Sequence, residues 1–238
     1  MFKNFILLFF TIFLGCSGLG TVSSNNPDWA LDTLKKLTLR QKIAQMMVFR
    51  MNMKFINFDS EEWKEIESLL RSDGVGIVHI WFGEAGSALT ILNKMQKLSK
   101  IPLLVEADIE SGLGRRYNGA VTLPPMMAIA ATGDAKYAYK AGMVSAEESR
   151  SVGIHFNLAP VVDVNNNPKN PIINTRSFGE HPDSVHRYSK EFIQGLKDYG
   201  MLTTAKHFPG HGDTETDSHS ALAQIPSDSS RLWSIELP

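Results

Sequence analysis

The chain of 238 residues has a single cysteine, Cys16, which excludes an intramolecular disulfide framework and any zinc site built from paired cysteines. It has no excess of either charge. Lys and Arg total 24 against 25 Asp and Glu, for a net charge of -1, and no block of like charge occurs, which argues against a nucleic-acid partner. No apolar run reaches the length of a membrane span, since the longest, Phe5 to Leu14, covers about ten residues. No G-x-G-x-x-G follows a predicted strand, so a dinucleotide-binding sheet lacks its fingerprint. Apolar residues at 43% and charged residues at 21% are those of an ordinary globular protein, neither disordered nor collagen-like. Chemistry therefore rests on histidines, carboxylates and hydroxyls.

The N-terminus has a short basic start, Met1 to Asn4, an apolar stretch of signal-peptide length, then Gly15, Cys16, Ser17 and Gly18. This resembles a bacterial lipoprotein signal in which Cys16 becomes the lipidated first residue; the alternative is a plain cleaved signal. Residues 1–16 are assigned to the signal and 17–27, polar and turn-rich, to a linker. The expected location is outside the cytoplasm, as a periplasmic or outer-membrane lipoprotein, with membrane contact only through Cys16.

Residues 28–238 are expected to form one domain. From Asp28 to Val48, Trp29, Leu31, Leu34, Leu37, Leu39, Ile43, Met46 and Met47 recur at helical spacing with a break near Thr38, and are predicted to be core. A helix around Ser60 to Arg71 precedes a buried strand at Gly74 to Trp81; a helix at Ala88 to Leu98 precedes another at Ile101 to Ala107. A helix over Asp134 to Val152 leads to a strand region at Ile154 to Val162, which Asp163 closes. Asp183 is the expected N-cap of a helix to Tyr199, stopped by Gly200, before a strand at Met201 to Lys206. A further strand is possible near Met46 to Arg50. Strands alternating with helices imply a parallel sheet, and polar residues gathered at strand C-terminal ends favour a β/α barrel over a doubly wound sheet. A complete eight-stranded barrel needs about 250 residues, and Ser227 to Pro238 reads as polar and turn-like, so the predicted (β/α)8 TIM-type barrel is incomplete at its C-terminal end.

The densest polar cluster, Lys206 to His219, follows the last predicted strand, where a barrel places its active-site loops. Pro209 and Gly210 exclude a regular helix, so His207 and His211 do not share a helical face as the H-E-x-x-H zinc motif requires. Asp217 and His219 are spaced for a carboxylate to orient an imidazole and support its protonated form. A metal-dependent hydrolase using His207, His211, Asp213 and His219 is a rival reading, as is a solvated loop without chemistry.

The wording of that cluster, KHFPGHGDTETDSH, resembles the signature of the β-N-acetylglucosaminidase branch of glycoside hydrolase family 3. RSFGE at Arg176 to Glu180, NLAPVVDVN at Asn157 to Asn165 and ADIESGLGRR at Ala107 to Arg116 resemble segments of the same family in the same order, so the resemblance covers about Leu37 to Ser220. It implies a β/α barrel and no cofactor or metal. It also implies His219 as general acid/base with Asp217 orienting it, Lys206, His207 and Arg176 as substrate contacts, and Asp108 with Arg116 as a pair gathering sugar hydroxyls. Asp108 can only accept and Arg or Lys only donate, so together they can read the orientation of a sugar ring. Arg115 is expected to lie on the surface. Between Asp108 and Arg116 many members read Asp-x-Glu-Gly-Gly-Arg-Val, whereas here Glu110-Ser-Gly-Leu-Gly114 is similar to longer, exported members with further domains. The expected reaction is retaining hydrolysis of terminal β-linked N-acetylglucosamine, with a carbohydrate as partner. The family's nucleophilic Asp is expected well past Pro238, missing from this chain, which by itself would then be inactive. Alternatives are a β-glucosidase of the same family and a non-catalytic sugar-binding fragment.

Overall fold

The computed structural model describes residues 28–225 and 227–238. The segments expected to be a signal and a linker, with Cys16, lie outside the described residues. Two compact units are present, one ending at Leu37 and one from Thr38 to Pro238. In the first, α1 (Trp29–Lys36) carries Asp32 in its first turn and Lys35 and Lys36 in its last, matching the helix dipole.

The second unit begins where the break near Thr38 was expected. Thr38 caps α2 (Leu39–Gln45) through a reciprocal capping box with Gln41, which is why the chain stops and restarts there. There follow β1 (Val48–Met53), α3 (Glu61–Ser68, capped by Ser60), β2 (Ile77–Glu84), α4 (Ala85–Leu98), β3 (Leu104–Ala107) and the short β4 (Tyr117–Asn118). Next come α5 (Met126–Ala130), α6 (Lys136–Ser151), β5 (Phe156–Asn157), α7 (Pro182–Asp198), β6 (Leu202–Thr203) and α8 (Ser229–Arg231). Every pairing is parallel and the path runs β1-β2-β3-β5-β6, with β4 beside β2. That order never reverses, so among the described residues there is no switch point of the doubly wound kind; the α/β fold is an arc of a β/α barrel.

Alternation along the strands separates two faces. Val78 and Ile80 of β2 and Val105 and Ala107 of β3 are buried, while His79, Trp81 and Glu106 occupy the other face. Arg50, His79 and Glu106 stand in register across β1, β2 and β3, and His79 Nδ1 is 3.2 Å from Glu106 Oε1. The densest helix packing joins α6 to α7. A Cβ at Gly142 would overlap the carbonyl of Phe192, and one at Gly195 the carbonyl of Tyr139, so the two backbones meet at paired notches. Phe192 and Leu196 are fully buried beside Ala138 and Ala146.

Several expectations are corrected. The predicted core of the first two helices is exposed: Trp29, Leu31, Leu34, Leu39, Ile43, Met46 and Met47 are each about half exposed or more, and in α2 only Ala44 is buried. The physical reason for α2 is its place at the edge of the sheet beside β1, where Leu39, Ile43, Met47 and Val48 line an apolar groove of about 590 Å³. Asp183 is not an N-cap. The helix starts at Pro182, whose fixed φ and missing N–H suit a first helical position, placing Asp183 within the first turn and His181 at the cap. Helix α6 begins at Lys136 rather than Asp134, whose carboxylate accepts from the Lys136 N–H at 3.0 Å. Of the strand predicted at Ile154 to Val162, only Phe156–Asn157 is ladder-paired, with a separate bridge from Val161 to Lys206. The segment expected to be turn-like after Ser227 winds into α8 and a further wide turn, Leu232–Glu236.

Candidate active site

The sheet delivers its polar residues to one end. Asp108 and Glu110 follow β3, Asp163 follows β5, and Lys206 and His207 follow β6. The Lys206 ammonium contacts Asp108 Oδ1 and lies 2.7 Å from Glu110 Oε1. Arg176 grips Glu110 through both carboxylate oxygens, Nε at 2.9 Å and Nη2 at 2.8 Å, a fork-to-fork pair of fixed orientation. Arg116 donates from Nε to the Asp108 carbonyl at 3.1 Å and brings Nη2 to 3.8 Å from its carboxylate. Its guanidinium lies over the Trp81 ring, 4.1 Å from the centroid, so an aromatic face helps to hold the cation there. Burial would raise the Glu110 carboxyl, but the hydrogen bonds from Arg176 and the charge of Lys206 hold it down at about 2.

A second knot lies beside the first. Asp163, fully buried, accepts from the N–H of His207 at 3.2 Å and of His211 at 2.6 Å, and its other oxygen is 2.6 Å from His207 Nδ1. Asn170 closes the knot from below by donating to the carbonyls of His211 and Thr214 at 2.8 and 2.9 Å. The rings of His207 and His211 are 5.8 Å apart, nearly perpendicular.

The Asp217–His219 pair is formed. Oδ1 of Asp217 accepts from the His219 N–H at 2.9 Å and sits 2.7 Å from His219 Nδ1. Those two bonds, backbone first, lower the carboxyl of Asp217 and keep it ionised. The imidazole is three-quarters exposed and is held through Nδ1, which leaves Nε2 on the outer side of the ring.

The structure therefore gathers Asp108, Arg116, Arg176 and Lys206 into one charged cluster, ties His207 to Asp163, and pairs Asp217 with His219. No hydrogen bond joins the pair to the Lys206 cluster among the described residues; His211 instead ties Ser218, between the two members of the pair, to Asp163. Arg115 is exposed, as expected. Glu110 and Asp163 are the organisers that sequence reasoning passed over as functional residues. Their signal was available: both are carboxylates just past predicted buried strands. The four residues of the metal reading do not converge. Asp213 is held by Arg231 at 2.8 Å, and no group of three His, Cys, Asp or Glu is arranged to hold a metal among the described residues.

Residues 38–238 match the model of the glycosyl hydrolase family 3 N terminal domain. The chain belongs to glycosyl hydrolase family 3. A β-N-acetylglucosaminidase/β-glucosidase of Cellulomonas fimi is 31% identical over 205 residues, 86% of this chain and 35% of the relative. β-Hexosaminidase A of Pseudoalteromonas piscicida is 41% identical over 143 residues, 58% of this chain and 24% of the relative. Among solved structures, a glycoside hydrolase family 3 β-N-acetylglucosaminidase from Paenibacillus sp. str. FPU-7 superposes with a TM-score of 0.76 at 37% identity, over 84% of this chain and 39% of that one. This family 3 chain thus spans well under half the length of each of these three relatives.

Proposed function

We propose that the protein is a retaining glycosidase that removes terminal β-linked N-acetylglucosamine, with His219 as general acid/base and Asp217 as its orienting partner. The observation that carries this reading is the 2.7 Å bond between His219 Nδ1 and Asp217: it fixes the tautomer so that Nε2 faces outward, able to protonate a leaving oxygen and later to take a proton from water. The names of the similar proteins from Cellulomonas, Pseudoalteromonas and Paenibacillus support the substrate.

Asp108, Arg116 and Lys206 present an acceptor flanked by donors for sugar hydroxyls, Arg176 acts by fixing Glu110 against Lys206, and His207 presents Nε2 from a ring anchored through Nδ1 on Asp163. Retaining catalysis also needs a nucleophilic carboxylate on the opposite face of the ring. Asp108, Glu110 and Asp163 are each committed to a cation or imidazole, so the nucleophile comes from outside this cluster. The lipoprotein-like start supports export with a lipid on Cys16; no helix among the described residues is long and apolar enough to cross a membrane.

The test is turnover of a chromogenic β-N-acetylglucosaminide by the protein expressed from its natural reading frame, before and after His219→Ala. Turnover that the substitution abolishes is expected; an unchanged rate sinks the assignment. A β-glucosidase is the second reading, favoured by the double name of the Cellulomonas relative. Faster turnover of the matching glucoside would select it.

A further inference from the structure

The Asp217–His219 pair is closed on itself within three residues, so its own hydrogen bonds do not aim it at anything. Among the described residues, the buried side chain of His211 reaches the segment that carries it. His211, 9% exposed, is fixed by its N–H on Asp163 and by its carbonyl on Asn170. Its ring contacts Thr214 Oγ1 through Nδ1, and its Nε2 lies 3.1 Å from Oγ of Ser218, the residue between the two members of the pair.

The direction of these bonds follows from proton counting. The Thr214 hydroxyl has one proton, and it is directed at the His211 carbonyl at 3.0 Å. Thr214 therefore receives its bond from Nδ1–H. In the neutral ring Nε2 then carries the lone pair and accepts from the exposed Ser218 hydroxyl. Gly212 keeps this turn pressed inward, since a Cβ there would overlap the carbonyl of Val164.

Resting on the glycosidase reading above, we propose that His211 is a positioning residue for the acid/base: through Nε2 it latches Ser218 and so aims the Asp217–His219 pair at the glycosidic oxygen. His211 touches no reacting atom. It acts through Ser218, and the Nδ1–H tautomer that Thr214 imposes is what makes the latch. Without it the pair persists but its loop samples other orientations, and proton donation falls with the fraction of time it is aligned.

The two ring nitrogens can be removed separately. His211→Asn leaves an amide near Nδ1 for Thr214 and takes away the acceptor for Ser218; His211→Gln places an amide oxygen near Nε2 and keeps that acceptor. Ser218→Ala removes the donor on an exposed residue, so it decides the matter even where a His211 variant fails to fold. Each variant is made in the protein expressed from its natural reading frame. The readouts are kcat/KM for an alkyl β-N-acetylglucosaminide, whose leaving group needs the proton, and for the dinitrophenyl one, whose leaving group does not.

Expected is a fall of about tenfold on the alkyl substrate for His211→Asn and Ser218→Ala, with the dinitrophenyl substrate within about twofold. His211→Gln restores most of the rate, and the double variant His211→Asn with Ser218→Ala is no slower than either single change. Amide hydrogen exchange over residues 217–220 rises in the two impaired variants and not in His211→Gln. A Ser218→Ala protein with normal rates and unchanged exchange overturns the latch, as does equal loss on both substrates. A wild-type protein that turns over neither substrate overturns the glycosidase reading instead, and exchange then decides the latch alone.

Discussion

Asp163 Oδ2 and His207 Nδ1 lie 2.6 Å apart, joining residues 44 positions apart in the chain, and the carboxylate is fully buried while the imidazole is a third exposed. The same carboxylate takes the backbone N–H groups of His207 and His211, so one buried charge both orients a ring and fixes the start of the loop that carries Asp217 and His219. Truncating it strands those donors, and a buried polar group without a partner costs about 1–3 kcal/mol. Asp163→Ala is therefore expected to destabilise by about 3 kcal/mol or more, and Asp163→Asn, which keeps an acceptor, by less. Urea denaturation measures both; a loss below about 1 kcal/mol for Asp163→Ala would contradict the organising role.

Glu110 gives a pH signature. Its carboxyl is lowered from the ordinary 4.5 to about 2, against the opposing effect of burial, by the bonds from Arg176 and the charge of Lys206. A group whose pKa is lower in the folded state stabilises above its unfolded pKa and loses that contribution as pH falls through the folded one. The contribution, about 3 kcal/mol at neutral pH, is thus expected to disappear between pH 4.5 and about 2. Glu110→Gln should be less stable at pH 7 and lack this fall; parallel stability curves for the two proteins would refute it.

Arg176→Lys is not a conservative change. The guanidinium spans both oxygens of Glu110, and Nη1 also donates to the Ile172 carbonyl at 3.2 Å, a fork an ammonium does not reproduce. A loss of about 1–3 kcal/mol is expected by thermal or denaturant unfolding, together with weaker sugar binding by calorimetry. Wild-type stability in the lysine variant would show that the bidentate geometry contributes nothing.

Asp217→Asn should separate catalysis from stability. The imidazole is three-quarters exposed and the Asp217 side chain about a third, and their bonds stay within one turn, so unfolding should move by less than about 0.5 kcal/mol. Turnover of an alkyl β-N-acetylglucosaminide should fall by about 100-fold, because an amide neither holds the productive tautomer nor stabilises the imidazolium. Collapse of the fold with the activity would assign Asp217 a structural role.

At the α6–α7 notch, Gly142→Val places branched carbon against the Phe192 carbonyl, and the helices have no room to take it. Overpacking of this kind costs about 1–3 kcal/mol, measurable as a lower denaturation midpoint at unchanged slope. An unaltered midpoint would mean that the contact gives way freely.

Much of this was legible in local pattern. Apolar β-branched runs ending in carboxylates located the strands and the end of the sheet that carries polar chemistry, and the two-residue spacing of Asp217 and His219 gave their bond, because its geometry is decided within one turn. Boundaries were less legible: Phe156–Asn157 pairs over two residues only, since how far a strand extends depends on the register of its neighbours. The apolar spacing of Leu39, Ile43 and Met47 gave a helix correctly and its burial wrongly, because periodicity specifies a face and says nothing of what covers it.

By itself, the sequence determined the alternation of strands and helices, the loop after Lys206 and the identity of the Asp217–His219 pair, all products of neighbours along the chain. Only the tertiary structure decided that Glu110 is shared by Arg176 and Lys206, 66 and 96 residues further on, and that Asp163 and His211 anchor the loop of that pair. Those contacts exist because parallel strands bring their C-terminal ends to one side of the sheet, a proximity that no spacing in the sequence encodes.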